Sequence, residues 1–534
     1  MDNLSQNQRM LIAVVLSVIV LGIYDYFFIP KKPLANELNS TVTSKSVANN
    51  ATKSAPSVAS SSETSTASSN SSAPVTQKET LKHKIIATVT SEHFTAKIDE
   101  LGRIYKFTIN DKRFENEKGE RLELFKPSAE PKPLEIRFSD PALNEEAFKT
   151  AYSANRSEVK IGDGKQTIVL TQNLSDRVVK KEITFYSKGN YDIKVSVSKP
   201  AEFFITPGHR PTVIADAYTV HGVLVEEPDG TLTIIEDGKA KDPVFVKNAK
   251  ILSAFDRYYA TAFYDFDKGM DVVVSPENEN PLPFVKANGN LNLKGFIGPK
   301  DHRVLESIDP RLTDMIEYGF FTFIAKPMFK LLLFLYEILG NWGWAIVVIT
   351  ILIRLILFPL TFKGMLSMSK MKELAPKMKE LQQKYKDDRQ KLNAHMMELY
   401  KKHGVNPMGG CLPMLLQIPV FFAIYRVLLN AIELKGAPWI LWITDLSAKD
   451  PYFVLPILMG ATMYWNQKIT PMTVTDPTQE KIMKFLPIIF TFFFVTFPAG
   501  LTLYWFVNNL LSVAQQYFVN IYMEKQKKLK KAEA

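Results

Sequence analysis

The sequence predicts a polytopic α-helical membrane protein of six spans with a large all-β domain outside the cytoplasm. Three observations predict it. Apolar residues crowd into the first 30 positions and the region after residue 314, the stretch between holds a low-complexity segment followed by short alternating runs, and basic residues gather beside the apolar stretches. The averages, 46% hydrophobic and 22% charged, look like those of a soluble protein only because they blend these regions. Collagenous, wholly disordered and disulfide-stapled classes are excluded. Cys411, the single cysteine, lies inside an apolar run, so no intramolecular disulfide and no cysteine cluster for a metal can form. The formal charge of +10 sits where anionic headgroups and topology explain it, rather than a specific nucleic-acid partner.

Met10 to Ile29 supplies about 20 mostly apolar residues, which at roughly 1.5 Å each cross a hydrocarbon core of about 30 Å. The exit side reads Tyr24-Asp25-Tyr26-Phe27-Phe28 with no small-x-small cleavage site, so residues 1–30 are expected to be an uncleaved anchor. No cysteine here could carry a lipid. Residues 31–84, dominated by Ser, Thr, Ala and Asn, cannot bury enough apolar surface to offset chain entropy and read as a flexible tether. Residues 85–310 then carry short strand-like runs: Phe94 to Ile98, Ile104 to Ile109, Thr167 to Thr171, Val178 to Tyr186 and Tyr191 to Val197. Val223 to Ile235 is a hairpin by its Pro-Asp-Gly turn. So many short strands predict a large β-sandwich held by its core alone.

Residues 315–340 carry Glu317, Lys326, Pro327, Lys330 and Glu337 among apolar neighbours, and are expected to form an amphipathic helix along the membrane surface. Residues 341–361 form the second span, 362–410 a cytoplasmic helical hairpin, 411–522 spans three to six, and 523–534 a basic tail. The hairpin segment holds eleven Lys and Arg residues, and Lys525, Lys527, Lys528, Lys530 and Lys531 crowd the tail. Both belong in the cytoplasm by the positive-inside bias. An even span count then places the N-terminus inside as well, and the β domain outside.

The most informative residue is Arg354, within Ile346 to Leu360. A charge on a spanning helix costs a few kcal/mol and usually faces a polar cavity. Snorkelling competes, because six residues from Leu360 is only about 9 Å of depth. The other spans favour the cavity. Gln417, Gln515 and Gln516 fall six or seven residues from their cytoplasmic ends, Thr350 lies a turn deeper than Arg354, and Asn508 and Ser512 follow on the last span. Interhelical hydrogen bonding explains isolated Thr and Asn well. A cation, however, needs water or a partner, and these spans offer no Asp or Glu near its depth. One fixed positive charge cannot cycle a proton, which argues against proton-coupled transport.

In the hairpin, Met371, Leu374, Met378, Leu381 and Tyr385 form an a/d seam answered by Leu392, Met396 and Leu399, and Pro376 is expected to bend the first helix. Self-packing explains much of this. The number of methionines, Met371, Met378, Met396 and Met397 among them, also suits contact with varied apolar sequences. No metal-binding, nucleophile-elbow or phosphate-loop motif appears, so no cofactor, metal or catalytic residue is assigned.

Gly340-Asn-Trp-Gly-Trp344, Asn406-Pro-Met-Gly-Gly-Cys-Leu-Pro413, Leu446-Ser-Ala-Lys-Asp-Pro451, Thr475-Asp-Pro477 and Phe497-Pro-Ala-Gly-Leu501, together with Arg354, closely resemble the YidC/Oxa/Alb insertase family in its Gram-negative form. The resemblance is strong over 316–522. It implies a five-helix insertase core in the bacterial inner membrane, a cytoplasm-open hydrophilic groove centred on Arg354, and a periplasmic β-supersandwich similar in fold to galactose mutarotase. It further implies that nascent membrane proteins slide along the third and last spans, here Cys411, Met414, Ile418, Phe421 and Tyr425 with Leu501, Tyr504 and Trp505. Cooperation with the Sec translocon (SecYEG, SecDF) and contacts with the ribosome and the signal recognition particle receptor follow from the same likeness. Some relatives carry Tyr-Tyr where this chain has Tyr504-Trp505, which puts any role of the second hydroxyl in doubt. The short tail after Tyr522 weakens ribosome docking.

The expected function is therefore a non-enzymatic insertase and chaperone. A small-anion transporter or channel using the same cavity is the rival reading and predicts a lumen sealed from lipid. An envelope structural or sugar-binding protein is a third, which deletion of residues 60 to 300 would separate.

Overall fold

The computed structural model describes residues 83–532 except 116–118, 163, 214–218, 387, 405–406 and 471–476. The expected anchor at 1–30 and all but the last two residues of the expected tether lie outside the described residues.

Three sheets of five, nine and five strands build the β domain. The nine-stranded sheet runs Leu232–Glu236, Gly222–Glu226, Ile251–Phe255, Tyr259–Tyr264, Asn290–Pro299, Asn190–Val197, Val178–Tyr186, Lys165–Asn173 and Ser153–Ala154 in spatial order. The Pro-Asp-Gly hairpin forms as expected, with Val225 opposite Thr233. Strand Val178–Tyr186 alternates, turning Val179, Lys181, Ile183 and Phe185 inward, so its period of two follows directly from one buried face. Lys181 is the exception in chemistry. Its ammonium donates to the carbonyls of Gly102 (3.0 Å) and Leu134 (2.8 Å) and lies over the Tyr152 ring, which satisfies a cation in the core. A short helix, α1 (Pro141–Lys149), is capped by Asp140, whose carboxylate accepts from Ala142 N–H and Leu143 N–H.

Strands Ile251–Phe255 and Tyr259–Tyr264 are buried at every residue. One face belongs to the domain core through Leu252, Ala254, Tyr259 and Phe263. The other, carrying Ile251, Phe255, Ala260, Ala262 and Tyr264, joins the cluster of the helical region. A strand buried on both faces reads as a continuous apolar run, and this one does so because helices cover it. The covering elements are α2 (His302–Ile308), the turn Pro310–Met315 and α3 (Thr322–Leu339), the last stopped by Gly340 at φ +64°.

The helical region continues with α4 (Trp342–Lys384), α5 (Arg389–Lys402), α6 (Pro407–Asn430), α7 (Val454–Ile469), α8 (Pro477–Phe494) and α9 (Ala499–Ala532). Asn341 caps α4 by accepting from Trp344 N–H at 3.1 Å. Helix α4 is 43 residues long and passes unbroken through Pro359 and Pro376, so no helix ends at residue 361. Losing one backbone hydrogen bond at each proline costs less than ending a helix packed along its length. At about 1.5 Å per residue it is roughly 65 Å long, twice a hydrocarbon core, and its second half must project beyond one. There it pairs with α5: Met371, Leu374, Met378, Met396, Leu399 and Tyr400 cluster, and Tyr385 stacks on His395 at 4.7 Å. Met397 faces outward.

Among the described residues, Gly319–Leu339 and Trp342–Met371 are long and apolar enough to cross a membrane, and Gln417–Asn430 and Ile482–Phe494 are shorter apolar helices. The first of these contains α3, so length and apolarity do not separate a surface helix from a span here. What α3 does show is a polar contact back to the turn before it, Lys326 with Asp314, and a stacked pair, Tyr336 on Trp342 at 4.1 Å, against α4.

Polar bonds lock the β domain to the helices. Arg257 Nε donates to the Leu429 carbonyl (2.7 Å), His302 N–H to Glu433 Oε1 (2.8 Å), Lys435 Nζ to the Tyr259 hydroxyl (3.1 Å), and Asn430 Nδ2 to the Glu317 carbonyl (2.6 Å). Arg426 pairs with Glu317 at 3.2 Å. Burial pushes the Glu433 carboxyl well above the ordinary glutamate range, and the nearby Asp301 charge adds to the push. Protonated Glu433 thus favours the folded junction. Its contribution is complete below the unfolded value of 4.5 and is lost as pH climbs through the raised folded value. Thermal unfolding in detergent between pH of about 5 and about 8 should show a midpoint that falls with pH in the wild type and falls less in Glu433→Gln.

Candidate functional site

Arg354 lies twelve residues into α4 and is 7% exposed. One element satisfies it. From α9, Asn508 Oδ1 accepts from Nε at 2.8 Å, the Asn508 carbonyl from Nη2 at 3.1 Å, Ser512 Oγ from Nη2 at 2.6 Å, and Gln515 Oε1 from Nη1 at 3.3 Å. Asn508, Ser512 and Gln515 share a face of α9 by their spacings of four and three. The Asn508 carbonyl is available to Arg354 although Ser512 Oγ also donates to it at 2.9 Å, because a carbonyl has two lone pairs. Every acceptor is neutral. Among the described residues Arg354 has no carboxylate partner, so its charge is solvated by dipoles and stays uncancelled.

The structure divides the sequence-predicted polar set. Arg354, Asn508, Ser512 and Gln515 meet. Thr350, one turn away, is buried and donates to the Ile346 carbonyl of its own helix at 2.6 Å. Gln516 is buried on the neighbouring face of α9 and donates to Asn520 Oδ1 at 2.9 Å, while Asn520 donates to the Ile469 carbonyl at the end of α7. It therefore serves the α7–α9 contact; one residue of helix turns a side chain by about 100°, enough to carry it off the guanidinium's face. Gln417 is half-buried on α6 and makes no bond to Arg354.

Beside the polar centre stands an aromatic cluster. Phe421 of α6 packs on Trp505 of α9 at 5.0 Å and on Tyr425 at 6.1 Å. Trp505 meets the edge of Phe494 at 5.5 Å, and Phe497 contacts both Phe494 (5.2 Å) and Tyr425 (6.5 Å). Leu501 and Tyr504 are buried within it, and Ile418 is exposed a turn away on α6. Cys411 and Met414 lie on the backbone of α6, and their side chains lie outside the described residues. The sequence does not single out Phe494, whose spacing of three from Phe497 of the Phe-Pro-Ala-Gly-Leu motif is the available signal. Trp505 Nε1 and Asn509 Nδ2, four residues apart, are buried and without a hydrogen-bond partner among the described residues, which the sequence does not reveal.

Fold and site together define a membrane protein: a large β domain seated on apolar helices, one of which holds an uncancelled cation between itself and its neighbour. A family model described as 60Kd inner membrane protein matches residues 334–527, and one described as YidC periplasmic domain matches 281–331. The chain is 54% identical to the membrane protein insertase YidC of Campylobacter jejuni over 97% of each chain. It is 52% identical to that of Wolinella succinogenes over 99% of this chain and 97% of the other, and 47% identical to one from Helicobacter pylori over 99% and 98%. The chain belongs to the YidC family of membrane protein insertases. It is accordingly an inner-membrane protein with a periplasmic domain.

Because Asn508 Oδ1 sits 2.8 Å from Nε, Asn508→Asp would place a carboxylate against the guanidinium without repacking. Thermal unfolding should show a midpoint held or raised. Asn508→Leu, which leaves buried N–H groups of Arg354 unpaired, should lower stability by about 1–3 kcal/mol.

Proposed function

We propose that this chain inserts nascent membrane proteins into the inner membrane by a non-enzymatic route centred on Arg354. The observation that carries the reading is a buried arginine solvated entirely by neutral groups of α9. An uncancelled cation at that depth attracts the acidic or polar flank of an incoming segment and shortens the apolar distance the flank must cross. The apolar part then leaves sideways along α6 and α9, over Ile418, Phe421, Tyr425 and Trp505, with the buried Leu501 and Tyr504 meeting it only if α6 and α9 part. Parting would also free the Trp505 and Asn509 N–H groups to donate to carbonyls of the passing chain, which would otherwise be unpaired in a dry setting.

The driving force is burial of the segment's apolar residues in lipid, at about 25 cal/mol per Å². Membrane potential assists acidic flanks by about 2.3 kcal/mol per charge per 100 mV. The Met-rich pair formed by α4 and α5, with Met397 outward, supplies a first contact on the cytoplasmic side, and both termini lie there. The Sec translocon, the ribosome and the signal recognition particle receptor are the partners this reading assigns.

Purified protein in liposomes without nucleotide tests it, with protease protection of a single-span substrate bearing a short acidic exported tail. Wild type should insert the substrate. Arg354→Ala should lose most insertion, Arg354→Lys should retain part, and Asn508→Asp should fall towards the alanine level while its fold is intact. Equal insertion by all four would refute the electrostatic role, and anion flux without insertion would favour a transporter.

A further inference from the structure

Ala437-Pro-Trp-Ile-Leu-Trp-Ile443 is a connection between helices, yet it contains no charged side chain, and its only polar side-chain atoms are the two indole N–H groups. It is also built rigidly. Trp439 N–H donates to the Ile443 carbonyl (3.0 Å), Ile443 N–H to the Ile440 carbonyl (3.1 Å), and Leu446 N–H to the Ala437 carbonyl (3.0 Å). Asn341, the cap of α4, donates to the carbonyls of Pro438 (3.2 Å) and Trp439 (3.1 Å), and Trp442 Nε1 donates to buried Asp450 at 3.0 Å. Gly343 has no room for a side chain, since a Cβ there would strike the Trp439 ring. From this frame Leu441 projects at 81% exposure, in the left-handed region at φ +53°. A non-glycine residue is strained in that region, and an exposed leucine in water returns nothing for the strain.

A single exposed leucine on a soluble protein would need no explanation. Two placements change that here. The hydrogen bonds to Asn341 set the turn level with the first residue of the long apolar helix α4. Trp439 also packs edge-on against Trp344 at 5.8 Å, and Trp344 is 45% exposed. Leu355, 62% exposed, lies eleven residues further along α4, three turns and within about 20° of the same face. Both ends of that face are exposed on an apolar helix, so a bilayer around α4 would meet the turn at the depth where tryptophan belts sit.

The geometry points to a lipid-inserted wedge: the turn Trp439–Ile443 carries Leu441 into the acyl chains of the periplasmic leaflet, and its occupant is phospholipid. The continuity of Leu441 with exposed Trp344 and Leu355 on the apolar helix α4 selects lipid over a second copy of the chain. The wedge also has a mechanical consequence. Being bonded to the α4 cap, it fixes the depth of a helix on which Arg354 lies twelve residues, roughly 18 Å, further in.

The test uses the full chain with Leu441→Cys in a Cys411→Ser background, labelled with bimane and reconstituted in phosphatidylcholine–phosphatidylglycerol liposomes. Lys449→Cys, exposed nearby, is the comparison site. Circular dichroism and detergent unfolding check that both variants fold. At residue 441, lipids spin-labelled at the shallow end of the acyl chain should quench several-fold more than at residue 449, and aqueous iodide several-fold less. Iodide quenching equal at both sites would place Leu441 in water and overturn the wedge. Protection from both quenchers would mean a protein cover, a second copy or another face of the chain, and would overturn it equally.

Discussion

The guanidinium of Arg354 constrains the helical region more than any other group. Placing an arginine at the centre of a spanning helix costs about 2.5–3.5 kcal/mol on insertion scales, before any packing is considered. Four hydrogen bonds from one helix meet that cost, so α9 must present Asn508, Ser512 and Gln515 on one face and approach α4 closely enough for contacts of 2.6–3.3 Å. The register between the two helices is thereby fixed. Gln516 and Asn520, on the adjacent face, then carry α7 along with α9. A carboxylate would have served stability as well or better. The use of neutral acceptors keeps the arginine in place and leaves its charge available.

The β domain is held by a different rule. Its nine-stranded sheet is apolar on both faces where Ile251–Phe255 and Tyr259–Tyr264 run, and the second face joins the cluster that includes α2, the Pro310–Met315 turn and α3. The domain is thus seated on the helices by burial, with the polar bonds through Arg257, His302, Glu433 and Lys435 ordering the seat. Such bonds are weak individually, at about 1 kcal/mol each, but they exclude other orientations of two apolar surfaces.

Much of this was legible in the sequence, and the failures are informative. Strands such as Val178–Tyr186 and Ile104–Ile109 appear with the expected bounds because period-two burial is a local signal. The Arg354 partners could be narrowed by depth arithmetic, since the rise per residue sets depth; azimuth was not used, and so Gln515 and Gln516 looked equivalent when 100° separates them. Helix α4 runs through two prolines because packing along its length outweighs two lost hydrogen bonds, a tertiary effect that local propensity does not carry. The seat of the β domain was invisible for a similar reason. A fully apolar strand says that both faces are covered, and only the fold says by what.

In the proposed function the division between the two halves of the site follows from dielectric. A charge acts at a distance in a dry medium and an aromatic ring does not, so the cation on α4 would draw a polar flank while Phe421, Trp505 and Phe497 would offer surface to slide on. The proposed role asks that neither half bind tightly. Tight binding would trap a segment that must leave, and neutral acceptors around Arg354 with aromatic packing beside it give attraction without a deep well. In the proposed mechanism, partition into lipid supplies the direction, and the protein lowers the cost of the polar step that precedes it.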